Sequence, residues 1–298
     1  RGVDLTTLYN LLTLAFFYHR RMKKIGLLII GFLTCLASAQ EEKPNFVWII
    51  SEDNSKHHLK LFDKDGVATP NIEALAEEGV IFDNACSNGA VCSVARSTLL
   101  SGCYAPRIGA QYHRRQALTS MPRGLNPFPQ YLKEAGYTTI NLGKTDYNIK
   151  VDMKQVWSGK KVRDMKGSQP FFINYSSLAV CHEGSGHFKK RALEKNPLTD
   201  LLKNIKVPPL HPDTKLLRYS YAHYQDRMQK MDQQVGEIIA KLKAQGVYEN
   251  TIIFYFGDHG GILPRSKGYA YETGLHVPLV IRVPEKWKHL IPFQKGTR

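Results

Sequence analysis

The sequence predicts an α/β fold with a mostly parallel central sheet flanked by helices, and three observations lead to it. Short apolar runs alternate with helical segments along the chain. The polar clusters come directly after the apolar runs, at the edge where open parallel sheets hold their ligands. The 298 residues are 43% hydrophobic and 22% charged, which is typical of globular proteins and excludes a disordered, collagen-like or coiled-coil chain.

The first strand and the first helix have clear boundary signals. Residues 45–50 form a continuous apolar run that ends at acidic residues, as in a buried parallel strand. Residues 69–79 predict a helix, with Thr69 as the N-cap, Pro70 at the first helical position and Gly79 at the C-terminal end. This strand and helix begin the alternation that defines the fold class.

The remaining elements continue the same alternation. In chain order we predict a strand at 80–84, a helix at 93–101, a helix at 128–135, a strand at 137–142, a strand at 170–176, a long amphipathic helix at 219–245 and a strand at 251–256. A glycine follows each of these three helices, at Gly102, Gly136 and Gly246.

Residues 22–39 have the pattern of a secretory signal peptide. Two lysines follow Met22, residues 25–36 are apolar, and the small residues of 37–39 form a cleavage site. The apolar run is shorter than the roughly 20 residues that a membrane-spanning helix needs, so we expect no stable membrane span. The signal predicts a periplasmic or secreted protein.

The signal peptide divides the chain into three predicted segments. Residues 1–21 are interpreted as an upstream segment that is non-native or wrongly assigned, because a credible start comes only at Met22. Residues 22–39 are the signal peptide, and residues 40–298 form the folded domain. The chain ends without a closing structural element, so we expect this domain to be truncated at its C-terminus.

The charge balance is strongly basic. Lys and Arg number 41 against 26 Asp and Glu, which gives a formal net charge of +15. An excess of this size favours polyanionic partners such as nucleic acid, anionic lipid, or a sulfated or phosphorylated glycan. Export argues against nucleic acid as the partner.

Two pairs of polar residues follow two of the predicted strands. Glu52 and Asp53 come after the first strand, and Asp258 and His259 come after the last. Adjacent acids at a strand end repel each other unless a cation is present, and oxygen-rich sets of this kind suit Ca²⁺ or Mg²⁺. The alternative interpretation is a pair of solvated loops.

A cysteine begins the helix predicted over 93–101. Cys92 stands at the helix N-terminus, where the positive end of the helix dipole and free N–H groups favour anions. Arg96 lies one turn further on and can face the same anion. The alternative for Cys92 is a half-buried structural cysteine.

Taken in order, these motifs resemble those of the type I, formylglycine-dependent sulfatases of the alkaline-phosphatase-like superfamily. The family signature Cys-x-Pro-x-Arg, followed by Thr-Gly, stands here as Cys92-Ser-Val-Ala-Arg96 followed by Ser101-Gly102. The other matching motifs are residues 44–53, residues 69–79, Gly143-Lys144, residues 171–175 with His182, Asp258-His259, Lys267 with Tyr271-Glu272, and Val277-Pro278-Leu279. Each motif alone is weak, but the ordered set across residues 43–283 is specific.

The resemblance implies the alkaline-phosphatase-like sulfatase fold. In that family a C-terminal subdomain with a small antiparallel sheet follows, and we expect it to be missing here. Residues 207–214 and the pair His182-Glu183 resemble the heparan N-sulfatase-like subgroup. The choice between an N-sulfate and an O-sulfate substrate stays open.

The resemblance also implies the cofactors. In such enzymes the signature cysteine, here Cys92, is oxidised to formylglycine by a separate maturation enzyme, and its hydrate attacks the sulfur atom. A calcium ion would be held by Glu52, Asp53, Asp258 and His259.

Four further side chains are implied as catalytic. Arg96 would steady the hydrate and the anion. Lys144 and Lys267 would bind sulfate oxygens and offset the charge that develops in the transition state. His182 would protonate the leaving oxygen or nitrogen.

The sequence departs from the family pattern at several positions. Val94 replaces the usual proline that helps the maturation enzyme recognise its site, and Glu52 replaces an aspartate. Asp146 stands where the family has a histidine that assists sulfate elimination. Asp146 is therefore a candidate to take the proton that is removed in that step. His113 is another candidate for this role, or a substrate contact.

The predicted function is that of an exported sulfatase that hydrolyses sulfate esters or N-sulfates of sulfated glycans. Its predicted cofactors are Ca²⁺ and formylglycine, and its predicted protein partner is a formylglycine-generating enzyme. Two alternatives stay open. One is a catalytically inactive relative that binds sulfated polyanions, and the other is a phosphonate or phosphate monoester hydrolase on the same scaffold.

Overall fold

The computed structural model describes residues 42–114, 117–161, 169–176, 178 and 204–298. The predicted upstream segment and signal peptide, residues 1–39, lie outside these residues and stay predictions. The predicted catalytic residue His182 also lies outside them. Within the described part of the chain, no helix combines the length and apolar character that crossing a bilayer requires.

The described residues build a central sheet of six strands. These are β1 (Asn45–Ser51), β2 (Gly79–Ile81), β3 (Thr138–Leu142), β4 (Phe171–Tyr175), β5 (Thr251–Gly257) and β6 (Leu279–Arg282). Their order across the sheet is β2-β6-β5-β1-β4-β3. Strands β3, β4, β1 and β5 are parallel, whereas β6 runs antiparallel to both of its neighbours. The predicted α/β class with a mostly parallel sheet is confirmed.

The helices flank this sheet. Among the described residues they are α1 (Pro70–Glu77), α2 (Cys92–Ser101), α3 (Phe128–Glu134), α4 (Met153–Val156), α5 (Lys215–Ala244) and α6 (Glu272–Leu275). Short 3₁₀ turns lie at Lys56–His58, Ala105–Ile108, Tyr248–Asn250 and Glu285–Leu290.

The N-terminus of α1 differs from the prediction. Thr69 is the N-cap residue, as predicted, but its side chain makes no cap hydrogen bond with a described residue, so the expectation that this side chain caps the helix was wrong. The capping side chain is instead that of Asp232 on α5, because its carboxylate accepts from the backbone N–H groups of Asn71 (3.2 Å) and Ile72 (3.0 Å). A cap supplied by a distant helix leaves no local sequence signal.

Gly79 also has a different role from the one predicted. Helix α1 ends at Glu77, and Gly79 instead begins β2. A Cβ atom at this position would lie 2.3 Å from the carbonyl oxygen of Ile281 on β6. The close approach of the two strands therefore requires a glycine.

One face of the sheet packs against the long helix α5. Val47 and Ile49 of β1 and Tyr255 of β5 are inaccessible to solvent beside Met231 and Val235 of α5. This apolar contact is the larger of the two cores and holds the helix along the parallel strands.

The opposite face carries an aromatic core. Trp48 lies 4.8 Å from Phe128 and 5.4 Å from Phe172 between ring centroids, and Trp157 stacks on Phe172 at 5.9 Å. This layer joins α3 to β1 and β4. The two cores hold the strands in place from both faces. Because β1, β3, β4 and β5 run parallel, the loops that follow them all emerge at one edge of the sheet.

Candidate active site

The loops after β1 and β5 bring two predicted pairs of polar residues together. The backbone N–H of Asp53 donates to Oδ1 of Asp258 (3.1 Å), and Nε2 of His259 lies 2.9 Å from Oδ1 of Asp53. Glu52 is also buried beside them. The interpretation of these pairs as separate solvated loops does not fit, because none of the four residues is more than 5% exposed.

Asp53 is held in an unusual backbone conformation. Its φ angle is 58°, in the left-handed region that side-chain-bearing residues seldom adopt. The hydroxyl of Tyr224 on α5 donates to the Asp53 carbonyl (2.6 Å), and Asp258 holds the Asp53 N–H. Both backbone polar groups are therefore fixed, which aims the Asp53 carboxylate into the cluster.

Cys92 lies at the first position of α2 and is fully buried. Its Sγ atom lies 3.2 Å from Nε2 of His259 and 3.4 Å from Oε1 of Glu52. The ammonium group of Lys267 donates to the same sulfur atom (3.1 Å). The thiol thus faces acids, an imidazole and a cation, and it is not a structural cysteine of the apolar core.

Arg96 lies one turn after Cys92 and binds Asp258. Its Nε donates to Oδ2 of Asp258 (3.1 Å), and Nη2 lies 3.1 Å from the same oxygen. Nη1 donates to the carbonyl of Ser176 after β4 (2.9 Å). Burial alone lowers the pKa of Arg96, but the charges of Asp258 and Glu52 outweigh it and raise the pKa.

Two lysines bind the acids from the solvent side. Lys144, after β3, pairs with Oε1 of Glu52, and Nζ of Lys267 lies 2.8 Å from Oδ1 of Asp53. Burial alone lowers the pKa of each lysine, and the adjacent carboxylate outweighs it and raises that pKa. Both ammonium groups therefore stay charged at the mouth of the site.

Asp146 lies between two cations. Its Oδ2 is 3.2 Å from Nη2 of Arg114 and 3.2 Å from Nζ of Lys144. Burial raises the pKa of Asp146, but the hydrogen bond from Arg114 and the charge of Lys144 outweigh it and lower the pKa. This carboxylate is therefore a weak base, which argues against Asp146 as the group that takes a proton in sulfate elimination.

His113 reaches the start of α2. Its Nδ1 lies 3.1 Å from Oγ of Ser93, the residue after Cys92, and Ser93 also accepts from the backbone N–H of Arg114 (2.9 Å). Burial, and then the charge of Arg114, lowers the pKa of His113. A largely neutral imidazole therefore stands beside the thiol-bearing turn.

Two residues of the site had not been singled out from the sequence. Tyr224 has no local signal, because it belongs to a helix 171 positions away from Asp53. Arg114 directly follows His113 in the sequence, but its partner Asp146 lies 32 positions further on. A basic residue beside a candidate histidine was the only available hint.

The residues present fit a divalent cation. Glu52, Asp53 and Asp258 supply carboxylate oxygens and His259 an imidazole nitrogen. Oδ2 of Asp53 is buried without a hydrogen-bond partner among the described residues. An oxygen-rich set of this kind suits Ca²⁺ or Mg²⁺.

His259 is prepared as a ligand. Its Nδ1 lies 2.8 Å from the carbonyl of Gly260, which can only accept, so Nδ1 carries the hydrogen and Nε2 faces the cluster. Burial lowers the pKa of His259, but the charge of Asp258 and the hydrogen bond with Asp53 outweigh it and raise the pKa to about 10. Nε2 therefore holds a proton in the metal-free protein, and a bound cation would take its place.

A mostly parallel sheet with buried acids at its carboxyl edge, and a cysteine at a helix N-terminus among them, is the arrangement that the resemblance to the alkaline-phosphatase-like sulfatases implies. The chain belongs to the sulfatase family, because the family model described as "Sulfatase" matches residues 44–152 and 152–297.

The curated relatives agree with this family. An ulvan-active sulfatase from Formosa agariphila is 31% identical over 82% of this chain and 48% of its own length. The N-acetylgalactosamine-6-sulfatase of Rattus norvegicus is 23% identical over 82% of this chain and 55% of its own length. The chain thus spans about half the length of the curated relatives it matches.

Solved structures share the fold. A 2-O GAG sulfatase superposes with a TM-score of 0.61 at 17% identity, over 82% of this chain and 65% of that one. A phosphonate monoester hydrolase from Silicibacter pomeroyi gives a TM-score of 0.57 at 16% identity, over 86% and 69%. At these identities the likeness concerns the fold alone.

Proposed function

We propose that this protein is part of an exported sulfatase that removes sulfate groups from sulfated glycans. The observation that carries the proposal is the position of Cys92. Its Sγ atom lies at a helix N-terminus within 3.4 Å of Glu52, His259 and Lys267. A nucleophile made at position 92 would face both a cation-binding set of acids and the ammonium group of Lys267.

The proposal assigns calcium and formylglycine to this site. Glu52, Asp53, Asp258 and His259 would hold the calcium ion, and Cys92 is the position that maturation would convert. When present, the calcium ion supplies positive charge at the sulfate, and the hydrated formylglycine supplies a nucleophilic hydroxyl.

Three cations of the chain would bind the sulfate group. Lys144 and Lys267 place ammonium groups at the mouth of the site, where they stabilise the negative charge that grows on the sulfate oxygens in the transition state. Arg96 is fixed by Asp258 and by the carbonyl of Ser176. Its guanidinium therefore needs no reorganisation when the anion binds.

Proton transfer needs groups beside the leaving atom. We assign protonation of the leaving oxygen or nitrogen to His182, as the resemblance implies. For the proton that sulfate elimination requires, His113 is the better candidate, because its pKa is lowered and it lies 3.1 Å from Oγ of Ser93. The carboxylate of Asp146 is already engaged by Arg114 and Lys144, so we assign Asp146 to positioning these cations.

The substrate class follows from charge and from the relatives. The chain has a formal net charge of +15, which favours a polyanionic substrate. Relatives carry names that state activity on ulvan and on N-acetylgalactosamine 6-sulfate. We therefore propose a sulfated polysaccharide as substrate, a signal peptide at residues 22–39 for export to the periplasm or medium, and a formylglycine-generating enzyme as the maturation partner.

The test is sulfate release from ulvan and from a glycosaminoglycan panel, with protein co-expressed with a maturation enzyme. We expect release that ends on chelation of calcium and in Cys92→Ala. The matched control is Cys86→Ala, which removes an exposed cysteine and keeps the activity.

Two outcomes would contradict the proposal. Binding of the polysaccharides without release, by protein whose Cys92 is converted, would support the inactive polyanion-binding relative. Faster turnover of phosphonate or phosphate monoesters than of every sulfated substrate would support the other alternative.

A further inference from the structure

A second set of metal-type ligands lies outside the acid cluster around Cys92. His57 belongs to the 3₁₀ turn after β1, and Glu272 and His276 stand four residues apart at α6. One ligand atom of each of the three side chains lies within 4.8 Å of the other two. Nε2 of His57 and Nδ1 of His276 both face Oε1 of Glu272. Nothing in the proposed sulfatase mechanism uses these three side chains.

His276 is oriented as a metal-ligating histidine would be. Its Nε2 lies 2.5 Å from the backbone carbonyl oxygen of Asp83. A carbonyl can only accept, so Nε2 carries a hydrogen. Nδ1 is thereby directed at Glu272, where it holds either a proton or a metal ion. Metal-bound histidines usually donate their other ring N–H group to a carboxylate, a backbone carbonyl or a water molecule in this way.

His57 provides an independent observation. Its Nε2 is buried and has no hydrogen-bond partner among the described residues. The nearest carboxylate oxygen, on Glu272, is 3.8 Å away, and the ring meets that of His276 edge-on at 5.7 Å. A buried polar atom without a partner is costly, and a metal ion between the three donors would satisfy it.

The ligand chemistry selects the kind of ion. Two imidazole nitrogens and one carboxylate oxygen suit Zn²⁺ and other first-row transition ions, whereas Ca²⁺ prefers a set in which oxygen atoms predominate. Glu272 is 66% exposed in its side chain, which gives an ion access from solvent. The negative charge of Glu272 offsets the positive charge of Lys56, whose Nζ donates to the Asp83 carbonyl (2.7 Å).

We propose that His57, Glu272 and His276 form a binding site for a transition-metal ion of the zinc class, separate from the calcium site. The ion would join two segments that reach the active site. The His57 turn begins three residues after Asp53, and Glu272 follows Lys267 by five. The two segments already share a backbone hydrogen bond from Lys56 N–H to the His276 carbonyl (3.2 Å), so the ion would reinforce an existing junction.

The test counts bound Co²⁺ by its visible absorption, with Ca²⁺ in excess. The parent protein is Cys92→Ser, which removes the thiol that would otherwise bind the probe at the acid cluster. We expect this parent to bind one more equivalent of Co²⁺ than His57→Ala or Glu272→Gln made in the same background. The matched control is His289→Ala, which removes an exposed imidazole and should bind as much as the parent.

Thermal unfolding gives a second readout. Zn²⁺ should raise the melting temperature of the parent in a concentration-dependent way, and that increase should be absent in Glu272→Gln. Glu272 is largely exposed, so its substitution should leave the metal-free melting temperature near that of the parent. Equal Co²⁺ stoichiometry in the parent, His57→Ala and Glu272→Gln would overturn the proposal. Neither measurement depends on sulfatase activity.

Discussion

Arg96 is a buried cation that balances the acids of the candidate active site. It is 2% exposed, and its guanidinium faces the buried acids Asp258 and Glu52. A buried ion pair adds little net stability when complete, because desolvation cancels much of the attraction. Removal of one partner is different, since it leaves the other charge buried and uncompensated.

We therefore predict that Arg96→Ala lowers the free energy of unfolding by about 3–5 kcal/mol in metal-free protein. Urea unfolding in the presence of a chelator measures it. The control is Arg298→Ala, which breaks a half-exposed pair with Asp83 and should cost less than about 1 kcal/mol. Equal losses in the two variants would show that Arg96 does not balance the buried acids.

The shifted pKa values of Asp53 and His259 predict how the stability of the metal-free protein changes with pH. Burial raises the pKa of Asp53, but the contacts with His259 and Lys267 outweigh it and lower the pKa to about 2. The stability that the ionised Asp53 carboxylate contributes is present above the ordinary pKa of an aspartate and is lost as the pH falls toward 2. The pKa of His259 is raised to about 10, so its contribution is complete below about 6.5 and is lost as pH rises toward 10.

Chelated protein should therefore lose melting temperature as the pH rises from 6.5 to 10, and His259→Gln should reduce this slope. Calcium should also reduce it, because a bound cation replaces the proton on Nε2. The measurement is thermal unfolding across this pH range, with and without calcium. A slope that is the same in wild type and His259→Gln would contradict the assignment.

At the scale of elements, α1 and α5 are joined by a cap. Asp232 of α5 accepts from Asn71 and Ile72 at the start of α1, whereas the hydroxyl of Thr69 has no hydrogen-bond partner in the part of the chain that the structure describes. Two backbone donors of α1 thus depend on a carboxylate 160 positions away along the chain. The cap fixes the helix pair that covers one face of the sheet.

We predict that Asp232→Ala lowers the free energy of unfolding by about 1–2 kcal/mol, the usual cost of a lost N-cap. The comparison is Thr69→Val, which replaces a buried hydroxyl that has no hydrogen-bond partner among the described residues and should leave stability unchanged or raise it. Chemical unfolding of both variants decides between the two caps. A larger loss in Thr69→Val would restore Thr69 as the cap.

The elements also differ in how far the sequence predicts them. The parallel strands are apolar runs followed by polar clusters, and both signals are local, so β1, β3, β4 and β5 were predicted. Strand β6 was not, because it has four residues and lies between Pro278 and Pro284. Its antiparallel pairing with β5 and β2 depends on tertiary contacts that periodicity does not report.

At the scale of the whole molecule, the site was predictable where residues stand at strand ends. Glu52, Asp53, Asp258 and His259 converge because their strands are parallel, and parallel carboxyl ends share one edge. Contacts made between distant loops were not predictable. The pairing of Asp146 with Arg114 is an example, since sequence order does not reveal which cation faces a carboxylate.

The proposed sulfatase activity depends on Cys92 as the precursor of the nucleophile. This role is tested most directly by peptide mass spectrometry across Cys92, on protein exported by a host with a formylglycine-generating enzyme. We predict a loss of about 18 Da, the change from cysteine to formylglycine, despite Val94 in place of the usual proline. An unmodified Cys92 in the presence of an active maturation enzyme would contradict the account.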